Sequence, residues 1–188
     1  DSEVLAASIY YYGIEKTINL IEGMWSFIAH DKRDNSIIIS RDPFGKKPLW
    51  QSKINDCYVF STEIKSILKL FPNTKDLNYK VIFDFINSSL LDVSNESFFK
   101  HINRFPQNSY AILRNKKIDY YNIKTINNIK SITPKAKDLK NLIDNSIKQE
   151  IQSDVPVALT LSGGVDSSYL AKISNNEKDI KSYTISNN

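Results

Sequence analysis

Leu161-Ser162-Gly163-Gly164-Val165-Asp166-Ser167-Ser168 is the stretch on which the reading of this chain turns. The apolar run Val155 to Leu161 leads into it and reads as a buried strand. Residues Ser168 to Ser174 follow and read as a helix, with Tyr169, Leu170 and Ile173 on one face. Paired glycines let the backbone between them curl, so that successive N–H groups point into one concavity. A helix N-terminus adds unpaired N–H groups and partial positive charge. Ser162, Ser167 and Ser168 offer hydroxyl donors. Such a loop suits an anion, and a nucleotide phosphate is the expected ligand. A Walker A loop is excluded, because no Lys follows the glycines. A dinucleotide fingerprint is excluded too, because its three spaced glycines are absent.

Downstream, Lys181 to Ser186 reads as a second strand and closes a βαβ unit, whose crossover is expected to be right-handed. Upstream, Leu139, Leu142, Ile143, Ile147 and Ile151 form an amphipathic helical stripe, with Pro134 as its candidate first residue. Asn122 to Pro134 is polar and reads as a linker.

The chain before the linker is built differently. Ser2 to Tyr12 reads as a helix stopped by Gly13, with a second short helix from Glu15 to Ile21. Trp25 to Asp31 and Ser36 to Ser40 read as a hairpin across a charged turn. Arg41-Asp42-Pro43-Phe44-Gly45 is a turn, and Leu49 to Ser52 and Tyr58 to Ser61 are short strands. A helix from Glu63 to Leu70 is expected to be capped by Ser61 or Thr62. Tyr79 to Ser88 is helical, and Ser109 to Leu113 pairs with Lys117 to Tyr121 across Arg114-Asn115-Lys116. Hairpins with a few helices thus precede the start of a parallel α/β sheet.

Composition narrows the function. Hydrophobic content of 41% over 188 residues supports a packed core rather than disorder. The net charge of +4 is spread along the chain, so no nucleic-acid face is expected. No apolar stretch approaches about 18 residues, so no membrane span is expected. One cysteine rules out an internal disulfide and points to the cytoplasm, while two histidines leave little for a His-based metal site. Cys57 reads as a small packing residue rather than a nucleophile. Arg41 and Asp42 read as a structural ion pair pinning their turn, and Glu63 and Lys65 as structural or interface residues. The start at Asp1-Ser2-Glu3 and the stop after an apparent strand read as an interior piece of a longer protein.

Leu161 to Ser168 resembles the SGGxDSS pyrophosphate loop of the PP-loop ATP pyrophosphatases. Further motifs, in order, make the chain resemble the glutamine-hydrolysing asparagine synthetase family. They are Asp1-Ser2-Glu3-Val4, Glu22-Gly23-Met24-Trp25-Ser26-Phe27, Arg41-Asp42-Pro43-Phe44-Gly45-Lys46-Lys47-Pro48-Leu49, Ser61-Thr62-Glu63-Ile64-Lys65 and Ser153-Asp154-Val155-Pro156. The resemblance implies an α+β part followed by an α/β part. Residues 1–122 would be the C-terminal part of a glutamine amidotransferase type-2 domain, a partial N-terminal-nucleophile glutaminase sandwich. Residues 123–133 would be a linker. Residues 134–188 would open a PP-loop, adenine nucleotide α-hydrolase-like, synthetase domain.

The resemblance also implies chemistry. Glutamine is hydrolysed at one site, and its ammonia travels through a tunnel to a second. There ATP, with Mg²⁺, adenylates aspartate, and ammonia displaces AMP. Asp1 would hold the α-amino group of glutamine, or serve as a helix N-cap. Leu161, Ser162, Gly163, Gly164, Asp166, Ser167, Ser168 and Ile185 would contact ATP. Asp166 would ligate Mg²⁺ or order the loop through backbone N–H groups, and Ile185 would otherwise be a core residue. The implied partners are glutamine and aspartate, with a homodimer as the candidate assembly and neither nucleic acid nor membrane. The family's catalytic Cys, its Arg for the glutamine carboxylate and its Asn-Gly oxyanion segment all lie upstream of Asp1. Residues 1–188 alone are therefore expected to perform neither reaction. Another carboxylate acceptor, or a nucleotide-binding remnant without catalysis, stays open as an alternative.

Overall fold

The computed structural model describes residues 1–91, 93–123 and 135–185. They belong to two compact units, 1–126 and 127–188. Of the expected linker, Asn122 and Ile123 are described and 124–134 lie outside the described residues, as does Ser186.

In the first unit, helix α1 (Ser2–Leu20) is two helices in sequence, broken at Gly13 with φ 76° and ψ 167°. A side chain rarely adopts that conformation, so the glycine sets the break. Strands β1 (Ser26–Asp31), β2 (Ser36–Arg41), β6 (Ser109–Arg114) and β7 (Lys117–Asn122) form an antiparallel sheet in the order β1-β2-β6-β7. A second antiparallel sheet has the order β4-β3-β5, from β3 (Trp50–Ile54), β4 (Cys57–Ser61) and β5 (Asn103–Arg104). Asn55-Asp56 and Asn115-Lys116 close two of the hairpins with positive φ at both residues, the turn whose twist matches that of the strands.

The period-two pattern of β2 and β6 builds two cores. Ile39 pairs with Ala111 in register, and both pack with Leu49 and Phe105. The partly buried Ile37, Leu113 and Phe60 join them. The alternate residues Tyr110 and Ile112 face the other way, against Ile14, Ile18 and Ile21 of the α1 segment. The four-stranded sheet is therefore the middle layer, between α1 and the three-stranded sheet. Ile123, placed in the linker by the sequence reading, belongs to the α1-side core.

Tyr110 lies in that core with its hydroxyl towards Glu15 at 3.4 Å. Burial, then the nearby carboxylate, pushes its phenol up to about 12. The fold favours the neutral phenol. Its contribution is therefore complete below the ordinary tyrosine value of about 10 and is lost as pH rises through the folded value. Absorbance titration of the phenols should show a step near 12 that Tyr110→Phe removes.

Helices α2 (Ile64–Leu70) and α3 (Tyr79–Ser88) complete the unit. The cap of α2 differs from expectation. Glu63 is the N-cap residue, and Ser61 Oγ accepts the Glu63 N–H at 3.2 Å. Glu63 in turn pairs with Lys65 at 2.9 Å, both exposed. Cys57 is also a correction: it is exposed at the start of β4, because the preceding tight turn holds it at the sheet's end.

The second unit contains α4 (Ala136–Glu150), β8 (Ala158–Thr160), α5 (Val165–Glu177) and β9 (Lys181–Tyr183), with β8 and β9 parallel. The expected buried strand is shorter and more open: Leu159 is half-buried, and Ala158 and Thr160 are exposed. Parallel strands are buried when both faces of a sheet are covered. Here the sheet has two strands among the described residues. Of the α4 stripe, Ile147 is buried, while Leu139, Leu142 and Ile143 are exposed.

Candidate functional site

The loop between β8 and α5 is held from both sides. On the strand side, the Leu161 N–H donates to Tyr183 O at 2.8 Å, and the Thr184 hydroxyl donates to Leu161 O at 2.7 Å. Gly163 turns the chain with φ 80°. Gly164 then caps α5 in an extended conformation, and Val165 opens the helix three residues earlier than expected. Gly-Gly makes this possible because no side chain resists the turn at Gly163 or crowds the first helical turn.

The serine hydroxyls are used differently from the sequence expectation. Ser167 Oγ donates to Gly164 O at 3.1 Å. Ser162 Oγ, 3.0 Å from Ser167 Oγ, then donates to that oxygen. Both protons are engaged across the loop, so an incoming anion meets backbone N–H groups first. A methyl group built on Gly163 would meet nothing within 4 Å, and one on Gly164 only Ser162 Oγ at 3.6 Å. Asp166 is exposed in the first turn of α5, and its carboxylate engages no loop amide among the described residues. A single free carboxylate suits Mg²⁺, which keeps water and is held largely by substrate phosphates. No group of three or more acidic, His or Cys side chains that could hold a metal occurs among the described residues.

Ile185 is 96% exposed, two residues beyond β9, and is no core residue. Leu161 keeps its carbonyl's second lone pair, but its N–H is spent on β9. Two features escaped the sequence reading. Thr184 locks the loop's entry, and a phenol–carboxylate bond joins Tyr169 to Asp144. Neither follows a spacing rule, since both join residues more than twenty positions apart.

In the first unit, Asp1 stands at the N-cap of α1, but its side chain makes no cap hydrogen bond. Its carbonyl accepts the Leu5 N–H instead. Arg41 and Asp42 do pin their turn, each by gripping backbone. The Arg41 guanidinium donates to the carbonyls of Gly45, Lys47 and Phe105 at 2.7 to 2.8 Å. The fully buried Asp42 carboxylate accepts the N–H groups of Phe44, Lys46 and Lys47 at 3.0 Å.

Comparison with known proteins places these units. A family model described as a glutamine amidotransferase domain matches residues 1–123, and one described as asparagine synthase matches residues 138–187. The glutamine-hydrolysing asparagine synthetase 1 of Bacillus subtilis (strain 168) is 29% identical over 92% of this chain and 28% of its own length. The glutamine-hydrolysing asparagine synthetase of Mus musculus is 25% identical over 91% of this chain and 30% of its own. The chain thus spans less than a third of these two relatives. A solved structure of glutamine phosphoribosylpyrophosphate amidotransferase from B. subtilis, complexed with ADP and GMP, aligns at 14% identity and TM-score 0.44. The alignment covers 98% of this chain and 38% of that one. With an amidotransferase match and a synthase match in one order along one chain, the protein belongs to the glutamine-hydrolysing asparagine synthetase family.

Proposed function

We propose that this chain supplies part of the glutamine site and the pyrophosphate-gripping loop of an ATP-dependent amide synthetase. The observation that carries the reading is an open Gly163-Gly164 bend, joining a parallel strand to a helix N-terminus, inside the segment matched to asparagine synthase. The first unit belongs to an N-terminal-nucleophile glutaminase, and Asp1 pairs with the glutamine ammonium there. In the second unit, backbone N–H groups of the loop hold the β and γ phosphates of ATP. Asp166 would give one carboxylate to Mg²⁺, and the ion would supply positive charge against the departing pyrophosphate. The aspartate side-chain carboxylate attacks the α phosphorus. Ammonia from glutamine then attacks the acyl carbon, and AMP leaves. Ile185 lies against the nucleotide. The protein works in the cytoplasm, as a homodimer, with neither nucleic acid nor lipid as partner. Among the described residues, no helix is long and apolar enough to cross a membrane.

We also propose that residues 1–188 alone turn over neither substrate. The test uses the full reading frame encoding this chain, supplied with ATP, Mg²⁺, aspartate and glutamine. AMP formation should require aspartate and yield asparagine. AMP formation with a different carboxylate only would reassign the acceptor. ATP binding without AMP formation on any acceptor would leave a nucleotide-binding remnant. Glutaminase turnover by residues 1–188 in isolation would overturn the division of labour.

A further inference from the structure

Tyr169 stands in the second turn of α5, five residues past Gly164. Its hydroxyl donates to Asp144 Oδ1 of α4 at 2.6 Å, a length typical of a phenol held by a charged carboxylate. Lys140, one turn earlier on α4, forms an ion pair with the other oxygen of Asp144. The carboxylate is thereby fixed from two sides, with 17% of its side chain exposed. At the far end of the same helix pair, Lys148 meets Glu177 at 2.8 Å. Lys178, just past α5, donates to Ile151 O at 3.3 Å. Helix α5 is therefore tied to α4 near both of its ends.

The apolar attachment is thin. Ile147 of α4 and Ile173 of α5 are the buried apolar side chains of this unit among the described residues. Ile173 lies one turn beyond Tyr169, away from the loop. Nothing apolar on that scale fixes the first turn of α5, the turn whose N–H groups face the bend. Of the ties between α4 and α5, the Tyr169–Asp144 bond lies nearest to that turn.

We infer that Tyr169, through its hydrogen bond to Asp144, is a positioning residue that aims the first turn of α5 at the phosphates of ATP. The inference rests on the loop reading given above. Preorganised donors contribute most when they need no reorientation on binding. Loss of the phenol proton's bond frees α5 to rotate about its Ile173 contact, and the N–H groups lose their common focus.

The experiment compares Tyr169→Phe, Lys140→Met and Gly163→Val in the full reading frame, by calorimetric titration with MgATP and by thermal unfolding. Tyr169→Phe should weaken MgATP roughly tenfold, about 1.4 kcal/mol, with an unfolding midpoint close to that of the parent. Lys140→Met, which keeps the phenol–carboxylate bond, should leave the affinity within about twofold of the parent on the same scale. An unfolding shift with unchanged MgATP affinity in Tyr169→Phe would mean a merely structural bond and overturn the inference. If Tyr169→Phe does not fold, Asp144→Leu, which removes the acceptor, takes its place, and unchanged affinity there overturns it equally. Gly163→Val separates the two readings. If it abolishes binding while Tyr169→Phe does not weaken it, only the positioning role falls. If neither variant alters MgATP binding, the loop reading falls with it.

Discussion

Asp42→Ala should destabilise the first unit by about 3–5 kcal/mol, a large share of the 5–15 kcal/mol that holds a typical domain together. The carboxylate is fully buried and accepts three N–H groups within the five residues that follow it. Alanine leaves all three part-buried donors without their acceptor. Each unsatisfied donor costs on the order of 1–3 kcal/mol, and local relaxation recovers part of the sum. Arg41, a residue 7% exposed, would then stand beside a loop that no longer holds its shape. Its carbonyl partners Gly45 and Lys47 lie in that loop. Its partner Phe105 lies in the core between the sheets, so the damage reaches Leu49 and Ile39. Urea unfolding should show a lower midpoint with an unchanged slope. A midpoint equal to that of the parent would mean that the loop is held by something other than Asp42.

Gly45 belongs to the same device. It has φ 62°, and a methyl group there would stand 3.0 Å from an Arg41 guanidinium nitrogen and 3.1 Å from Gln107 Cβ. Gly45→Ala is therefore strained in its backbone and crowded against the clamp at once. It should destabilise in the same direction as Asp42→Ala, by about 1–3 kcal/mol. A stability equal to that of the parent in the same urea measurement would show that the clamp can yield.

What the sequence made legible follows from which forces act locally. The two-part helix α1 was readable because Gly13 acts on its own backbone. The hairpins were readable because β-branched alternation and Asn turns act within a few residues. Arg41 and Asp42 could be recognised as structural from their turn, but not as two grips on backbone. Those grips depend on where Phe105 and Lys47 arrive after folding. The stripe on α4 was a correct helix signal and a poor burial signal. Periodicity reports which face is apolar, and burial depends on what packs there. The serine pair across the loop escaped for a related reason. Spacing shows hydroxyls near a site without showing that Ser162 and Ser167 satisfy each other.

The loop's two glycines should fail in different ways when each is replaced by alanine. Gly163 has φ 80°, and a methyl group there has open space on every side, so its substitution is a backbone problem alone. Holding an L residue in that region costs about 1–2 kcal/mol. The bend would relax, scattering the N–H groups and loosening both the fold and ATP binding. Gly164 has φ −74°, which any residue adopts. Its methyl group would meet only Ser162 Oγ, at 3.6 Å, an ordinary contact. Gly164→Ala should therefore unfold at the same temperature as the parent. Yet that hydroxyl spans the loop to Ser167, so on the proposed reading the methyl group would compete for the space that pyrophosphate takes. Close approach of phosphate to backbone requires that space to be empty. MgATP affinity should drop at least tenfold, about 1.4 kcal/mol, with stability untouched. Unchanged affinity in Gly164→Ala would place the phosphates elsewhere, and Leu161 to Ser168 would lose its proposed ligand.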